Sequence, residues 1–159
     1  MANLFPIETE NELAQNEIKF DSATDSVTGY KPGVAFDYET GDFVRDGQNK
    51  AVDATGFESW AQWCRHNLLT ERYKHRAYST DFGIEREDAI KAFTKEEAES
   101  NLTRQITEAL EADPYGRTDH VESVDFNWID QNQVEIDVTV VGIDFATFDL
   151  TVSVNLGRG

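Results

Sequence analysis

The sequence predicts an α+β domain: an N-terminal β-hairpin, two helices, then a three-stranded antiparallel meander with the helices packed on the sheet. Two kinds of periodicity carry this reading. Apolar residues recur at helical steps over 56–74 and over 94–110. Three C-terminal segments instead alternate apolar and polar residues, the pattern of a sheet with one dry and one wet face. Helices followed by a run of strands then place the helices on one side of the sheet.

In chain order, residues 1–29 read as a polar tail, with "ETENELAQ" and "DSATDSVTG" showing little periodicity. Leu4, Phe5 and Ile7 flank Pro6 there and form a short apolar anchor, suited to docking on another surface or to strapping back on its own domain. Residues 30–159 are expected to form one domain. Over 33–52, Val34, Phe36 and Tyr38 alternate with polar or small residues. Thr40-Gly41 and Asp46-Gly47 supply turns, giving a hairpin.

The first helix is expected over 56–74. Thr55 and Glu58 have the spacing of a capping box, and Phe57, Trp60, Ala61, Cys64 and Leu68 form one stripe. A short helix is expected at 85–92. Thr94 and Glu97 repeat the capping spacing before Ala98, Leu102, Ile106 and Leu110, and Pro114 and Gly116 end that helix. The strands follow: Val124, Phe126 and Trp128; Val134, Ile136, Val138 and Val140; Phe148, Leu150, Val152 and Val154. Turns are expected at 130–132 and near 142–147.

Charge bounds the function. The chain carries 31 Asp and Glu against 14 Lys and Arg, a net charge of −17. That argues against nucleic acid or an anionic membrane as the main partner, because phosphate binding needs basic surface. It leaves open a basic protein partner or simple solubility. No apolar run is long enough to span a bilayer, and no export leader is visible. Cys64 is the single cysteine, so no intrachain disulfide forms, and it falls on the apolar helical stripe as packing. His66, His75 and His120 show no ligand spacing, and no zinc signature, phosphate loop or nucleophile elbow is present; no metal or cofactor is expected.

Against this acidic background Arg65, Arg72, Lys74 and Arg76 fall within twelve residues, with Glu71 the one acid among them. Cations late in a helix suit its dipole, which accounts for part of the cluster but not for Arg76 beyond it. At the other extreme, residues 118–159 hold eight acids and one base, Arg158. The wet side of the predicted sheet is therefore negative. An edge strand there either offers backbone groups to a basic partner strand or is blocked by its own acids.

The stretch "LLTERYKHRAYSTDFG", residues 68–83, resembles the signature of the XkdS-like baseplate proteins of contractile phage tails. Those are related to the lysozyme-like sheath-initiator family of contractile injection systems. The shared elements here are Leu68, Leu69, Thr70, Glu71 and Arg72, then Asp81, Phe82 and Gly83 after a short interval. The segment "FDYETGDFVRDGQNKAVDATGFESWAQWC" and the strand "DFNWID" also fit, so the likeness covers about residues 34–155. Two departures stand out: Tyr73 follows Glu71-Arg72 without the usual neighbouring glycine or proline, and Thr80 replaces a common proline before Asp81.

The resemblance implies a structural, non-catalytic role. Such proteins sit in the baseplate of a virion tail or tail-like particle, assembled in the host cytoplasm at six copies per particle. They dock on the helical bundle of the large wedge proteins around the tube, near tube and hub proteins, and template the first ring of tail sheath by strand exchange. On that reading Glu71 and Arg72 make a charge-assisted contact, which Lys74 and Arg76 widen. Asp81 and Gly83 shape the turn beside Phe82. The strands holding Val138, Val140, Val152 and Val154 accept a partner strand. The bland alternative for Glu71 and Arg72 is an internal staple of their own loop. Two rival functions remain: a peptidoglycan-cleaving enzyme using Glu71 and Asp81, or a soluble adapter. The enzyme is disfavoured because Arg72 beside Glu71 opposes the raised pKa of a general acid.

Overall fold

The computed structural model describes residues 29–157, so the polar tail and its anchor Leu4, Phe5 and Ile7 lie outside the described residues. The α+β fold expected from the sequence is present. The chain divides into two compact units between Ser59 and Trp60, part-way along one helix.

The first unit is a nested pair of hairpins. Strand β1 (Gly33–Val34) pairs antiparallel with β4 (Asp53–Ala54), and β2 (Phe36–Asp37) pairs antiparallel with β3 (Asp42–Phe43). Ala35 joins the two, donating to the Val52 carbonyl at 2.8 Å and accepting from Val44 N–H at 2.9 Å. Both expected turns form. The Asp37 carboxylate accepts the Glu39 N–H, and Gly41 takes φ 73°, which a residue without Cβ adopts freely. The Asp46 carboxylate accepts the N–H groups of Gln48 and Lys50. Phe36 stacks edge-on against Phe43 and Tyr38.

Helix α1 (Gly56–Leu69) begins as its sequence demands. Glu58 N–H donates to Thr55 Oγ1 at 3.2 Å while Glu58 Oε2 accepts Thr55 N–H at 2.8 Å, a complete capping box. The helix ends at Leu69, five residues short of expectation. Thr70 Oγ1 donates back to the His66 carbonyl at 2.7 Å, and Arg86 Nη2 donates to the Leu69 carbonyl at 3.1 Å. Terminal carbonyls satisfied this way release the chain. Tyr73, at φ 67°, is incompatible with a helix. Arg72 and Lys74 thus lie beyond the helix, and the dipole argument does not apply to them.

The second unit stacks this helix from Trp60 onward, α2 (Arg86–Ile90) and α3 (Lys95–Glu111) with a sheet of β5 (Thr118–Trp128), β6 (Gln133–Gly142) and β7 (Thr147–Asn155). Thr94 caps α3 by accepting Glu97 N–H, but Glu97 Oε2 reaches back to Phe93 N–H, one residue earlier than a standard box. The sheet is the expected antiparallel meander in the order β5-β6-β7. Strand β5 starts six residues earlier than predicted, with register shifts between Thr118 and His120 and between Val121 and Ser123. Those bulges break the period-2 pattern that marks a strand in sequence.

Trp60, Cys64, Leu68, Leu102, Ile106 and Leu110 meet Val134, Ile136, Val138, Val140, Val152 and Val154 in the core. The Trp60 ring sits edge-on to Phe148 at 4.9 Å, and its Nε1 donates to Thr118 Oγ1 at 2.9 Å. Burial pushes the Cys64 thiol pKa far up, so the thiol is packing and not a nucleophile. The turn from α3 into β5 is pinned by a buried bidentate pair: Arg117 Nε and Nη2 donate to the two Asp113 oxygens at 2.8 and 2.9 Å. The guanidinium also lies near the faces of Trp63 and Tyr115.

Candidate docking surfaces

The first surface is the loop that carries the sequence signature. After Leu69 the chain leaves α1, runs out through 73–82 and returns at Ile84. The two ends of this excursion are laced together. Ile84 N–H donates to the Thr70 carbonyl, and Arg72 N–H donates to the Ile84 carbonyl, each at 3.0 Å, so Glu71 and Ile84 form a one-residue parallel bridge. Arg72 Nε donates to the Gly83 carbonyl at 2.9 Å. Gly83 has φ 93°, and a Cβ there would lie 2.8 Å from the Thr70 carbonyl oxygen, so only glycine fits.

The residue that anchors this closure is Asn67. It is fully buried at the end of α1. Its Nδ2 donates to the Ala109 carbonyl of α3 at 2.9 Å, and its Oδ1 accepts Gly83 N–H at 2.6 Å. One amide side chain thereby ties α1, α3 and the loop. Sequence reasoning missed it, although a polar residue one step before Leu68 in a buried stripe is a signal for such a bridge.

Aromatic rings fill the loop. Phe82 packs against Trp63, His66 and Tyr78, and His66 Nε2 lies 3.0 Å from the Tyr78 hydroxyl. His75 stacks edge-on with Tyr78. The predicted site residues therefore divide. Arg72, Phe82 and Gly83 are half-buried or buried and hold the loop together. Lys74, Arg76 and Asp81 are exposed. Glu71 pairs with Lys74 at 3.4 Å and not with Arg72, whose partner is a backbone carbonyl. Asp81 does not cap the turn: its carboxylate accepts no hydrogen bond among the described residues, and Asn67 supplies that contact instead.

The second surface is the sheet. Strand β6 is central and pairs with β5 on one side and β7 on the other, so it has no free edge. Val138 and Val140, expected on a partner-accepting strand, are on this closed strand with their side chains in the core. β5 and β7 are the two outer strands of this sheet, and the one whose pairing runs without a register shift is β7. There Val152 and Val154 point into the core while Thr147, Asp149, Thr151, Ser153 and Asn155 face outward. The outer face is acidic and ordered. Asp125 stands directly opposite Asp137, Thr151 Oγ1 donates to Asp137, and Thr139 Oγ1 donates to Asp149 at 2.8 Å. The three strands contain no lysine or arginine.

A protein-family model for the contractile injection system sheath initiator matches residues 33–144. The chain belongs to the sheath initiator family. No curated protein matches it. As a sheath initiator it is a structural component of a contractile tail, with a sheath and baseplate role, and it associates with sheath and baseplate components. This places it in a phage tail or baseplate. No helix among the described residues is long and apolar enough to cross a membrane. The matched span includes the whole laced loop and ends before β7, so the sheath initiator match bears on the first surface more directly than on the second.

Proposed function

We propose that the chain docks on the wedge helical bundle around the tail tube through its 71–83 loop and templates the first sheath ring by adding a sheath strand to β7. The observation that supports this best is the state of β7. It is an edge strand of nine residues whose inner side chains are already buried, so its backbone is held extended before any partner arrives. A long alternating edge strand invites pairing with another chain unless something blocks it. The acids of the outer face repel a second copy of the same sheet and favour a strand flanked by lysine or arginine. Net charge of −17 likewise opposes self-association, so the six-fold arrangement arises only with wedge and sheath chains present.

A lysozyme-like hydrolase would need two carboxylates flanking a substrate. Glu71 instead makes an exposed ion pair with Lys74. An adapter for a single soluble partner would bind outside any ring assembly. Co-expression with the neighbouring sheath and large wedge proteins, with a tag on this chain and sizing of the complex, separates these readings. Recovery in a complex with either protein is the expected result. A folded chain that binds neither overturns the assembly role.

A further inference from the structure

We propose that the outer part of the laced loop is a docking ledge for an acidic protein segment. The inference rests on the assembly reading and adds the chemistry of the partner. Residues 65–82 hold four of the chain's Lys and Arg and two acids, whereas the remainder holds ten and 29. The cations are divided by the fold. Arg72 is turned inward on the Gly83 carbonyl, and Arg86 at the loop's return is spent on the Leu69 carbonyl. Lys74, His75 and Arg76 are left on the outside, and Arg76 makes no ion pair among the described residues. The weak 3.4 Å contact from Glu71 to Lys74 and the exposed carboxylate of Asp81, at the far end of the loop, offset them in part.

Aromatic rings share the ledge. Tyr73 is 64% exposed and holds φ 67°, a conformation that is costly for a bulky residue. Tyr78 is 42% exposed, with one side braced by Phe82 and His75. Exposed tyrosine beside arginine is the composition of a binding surface, and the bracing beneath it lowers the entropy lost on docking. A strained, exposed tyrosine does nothing for this chain's own core. Charge decides the occupant. A surface of Lys and Arg in a protein otherwise so acidic fits carboxylates, which guanidinium binds in bidentate fashion. A nucleic acid would meet the same ledge but would be repelled by the rest of the chain.

The test places a photo-crosslinking amino acid at Tyr73 in the full chain, co-expressed with the sheath and large wedge proteins. It is paired with the double variant Lys74→Glu, Arg76→Glu. A crosslink to an Asp- or Glu-rich stretch of a partner is expected. The double variant should lose association by about tenfold or more, and lysines substituted at the crosslinked acids should restore it. A crosslink to an apolar, basic or nucleic-acid target, or to residues 1–28 of the chain itself, overturns the inference while leaving assembly intact. So does a double variant that assembles as well as the parent. If the parent chain joins no complex at all, the assembly reading falls, and the ledge with it.

Discussion

Asn67 accepts the backbone N–H of Gly83 at 2.6 Å while its own Nδ2 holds the Ala109 carbonyl, so one buried amide fixes where the signature loop begins and ends. Replacing Asn67 with leucine keeps the bulk but strands a donor and an acceptor, each at about 1–3 kcal/mol. A loss of about 2–6 kcal/mol is expected, read as a lower denaturant midpoint with unchanged slope. The Gly83→Ala variant should lose a similar amount, because it adds both a clash with Thr70 and an unfavourable φ.

The Arg72 staple makes a sharper distinction. Its Nε donates to the Gly83 carbonyl, a contact the lysine ammonium cannot copy in direction. Arg72→Ala and Arg72→Lys should both destabilise the fold by about 1–2 kcal/mol and raise amide exchange at Ile84. If Arg72→Ala leaves stability and exchange untouched but weakens partner binding, Arg72 is a contact residue and the staple is incidental.

The buried Asp113–Arg117 pair should be the most sensitive ionic feature. Removing one member leaves the other charged and dry, a loss of about 3–5 kcal/mol. Arg117→Met should be the test, followed by thermal unfolding. A change within about 0.5 kcal/mol, the range of an ordinary surface substitution, would mean that water reaches the site.

On the outer face of the sheet, stability and assembly pull in opposite directions. Asp125 faces Asp137 directly, and like charges across a strand pair are unfavourable. Asp125→Lys should therefore raise stability by about 0.2–1 kcal/mol, with a smaller gain at high salt. The same change should weaken binding of a basic sheath strand. Equal sheath binding by parent and variant would remove charge from the description of that face.

Acid should loosen the first unit at a defined place. The Asp46 carboxyl sits below its ordinary value of 3.8 because Lys50 and Gln48 donate backbone N–H groups to it. Stability from a depressed carboxyl is fully present above its unfolded value and is lost as pH falls through the lower folded value. Amide exchange at Gln48 and Lys50 should therefore rise only below about pH 3.8, and Asp46→Asn should flatten that rise.

The helices and the meander were legible because their burial is periodic. The capping box at Thr55 and Glu58 gave the start of α1 to the residue. Its end was not legible. Thr70 closes the last turn on the His66 carbonyl, but the chain turns away because Ile84, fifteen residues after Leu69, takes the backbone groups of Thr70 and Arg72. The early part of β5 was hidden by its bulges. The basic stretch was visible as a site, but its division into inner and outer cations was not. Whether an arginine faces solvent or a carbonyl depends on the loop's closure, and that depends on Asn67. Strand order followed from the meander, and its consequence was missed: a meander puts β6 in the centre, so Val138 and Val140 could not lie on a strand open to a partner.

Cryo-electron microscopy of the assembled tail particle tests the proposed role most directly. A sheath strand hydrogen-bonded along the outer edge of β7, in the ring of sheath nearest the baseplate, is the expected result. A chain located in the particle with β7 facing solvent, and the first sheath ring held by other contacts, would contradict it.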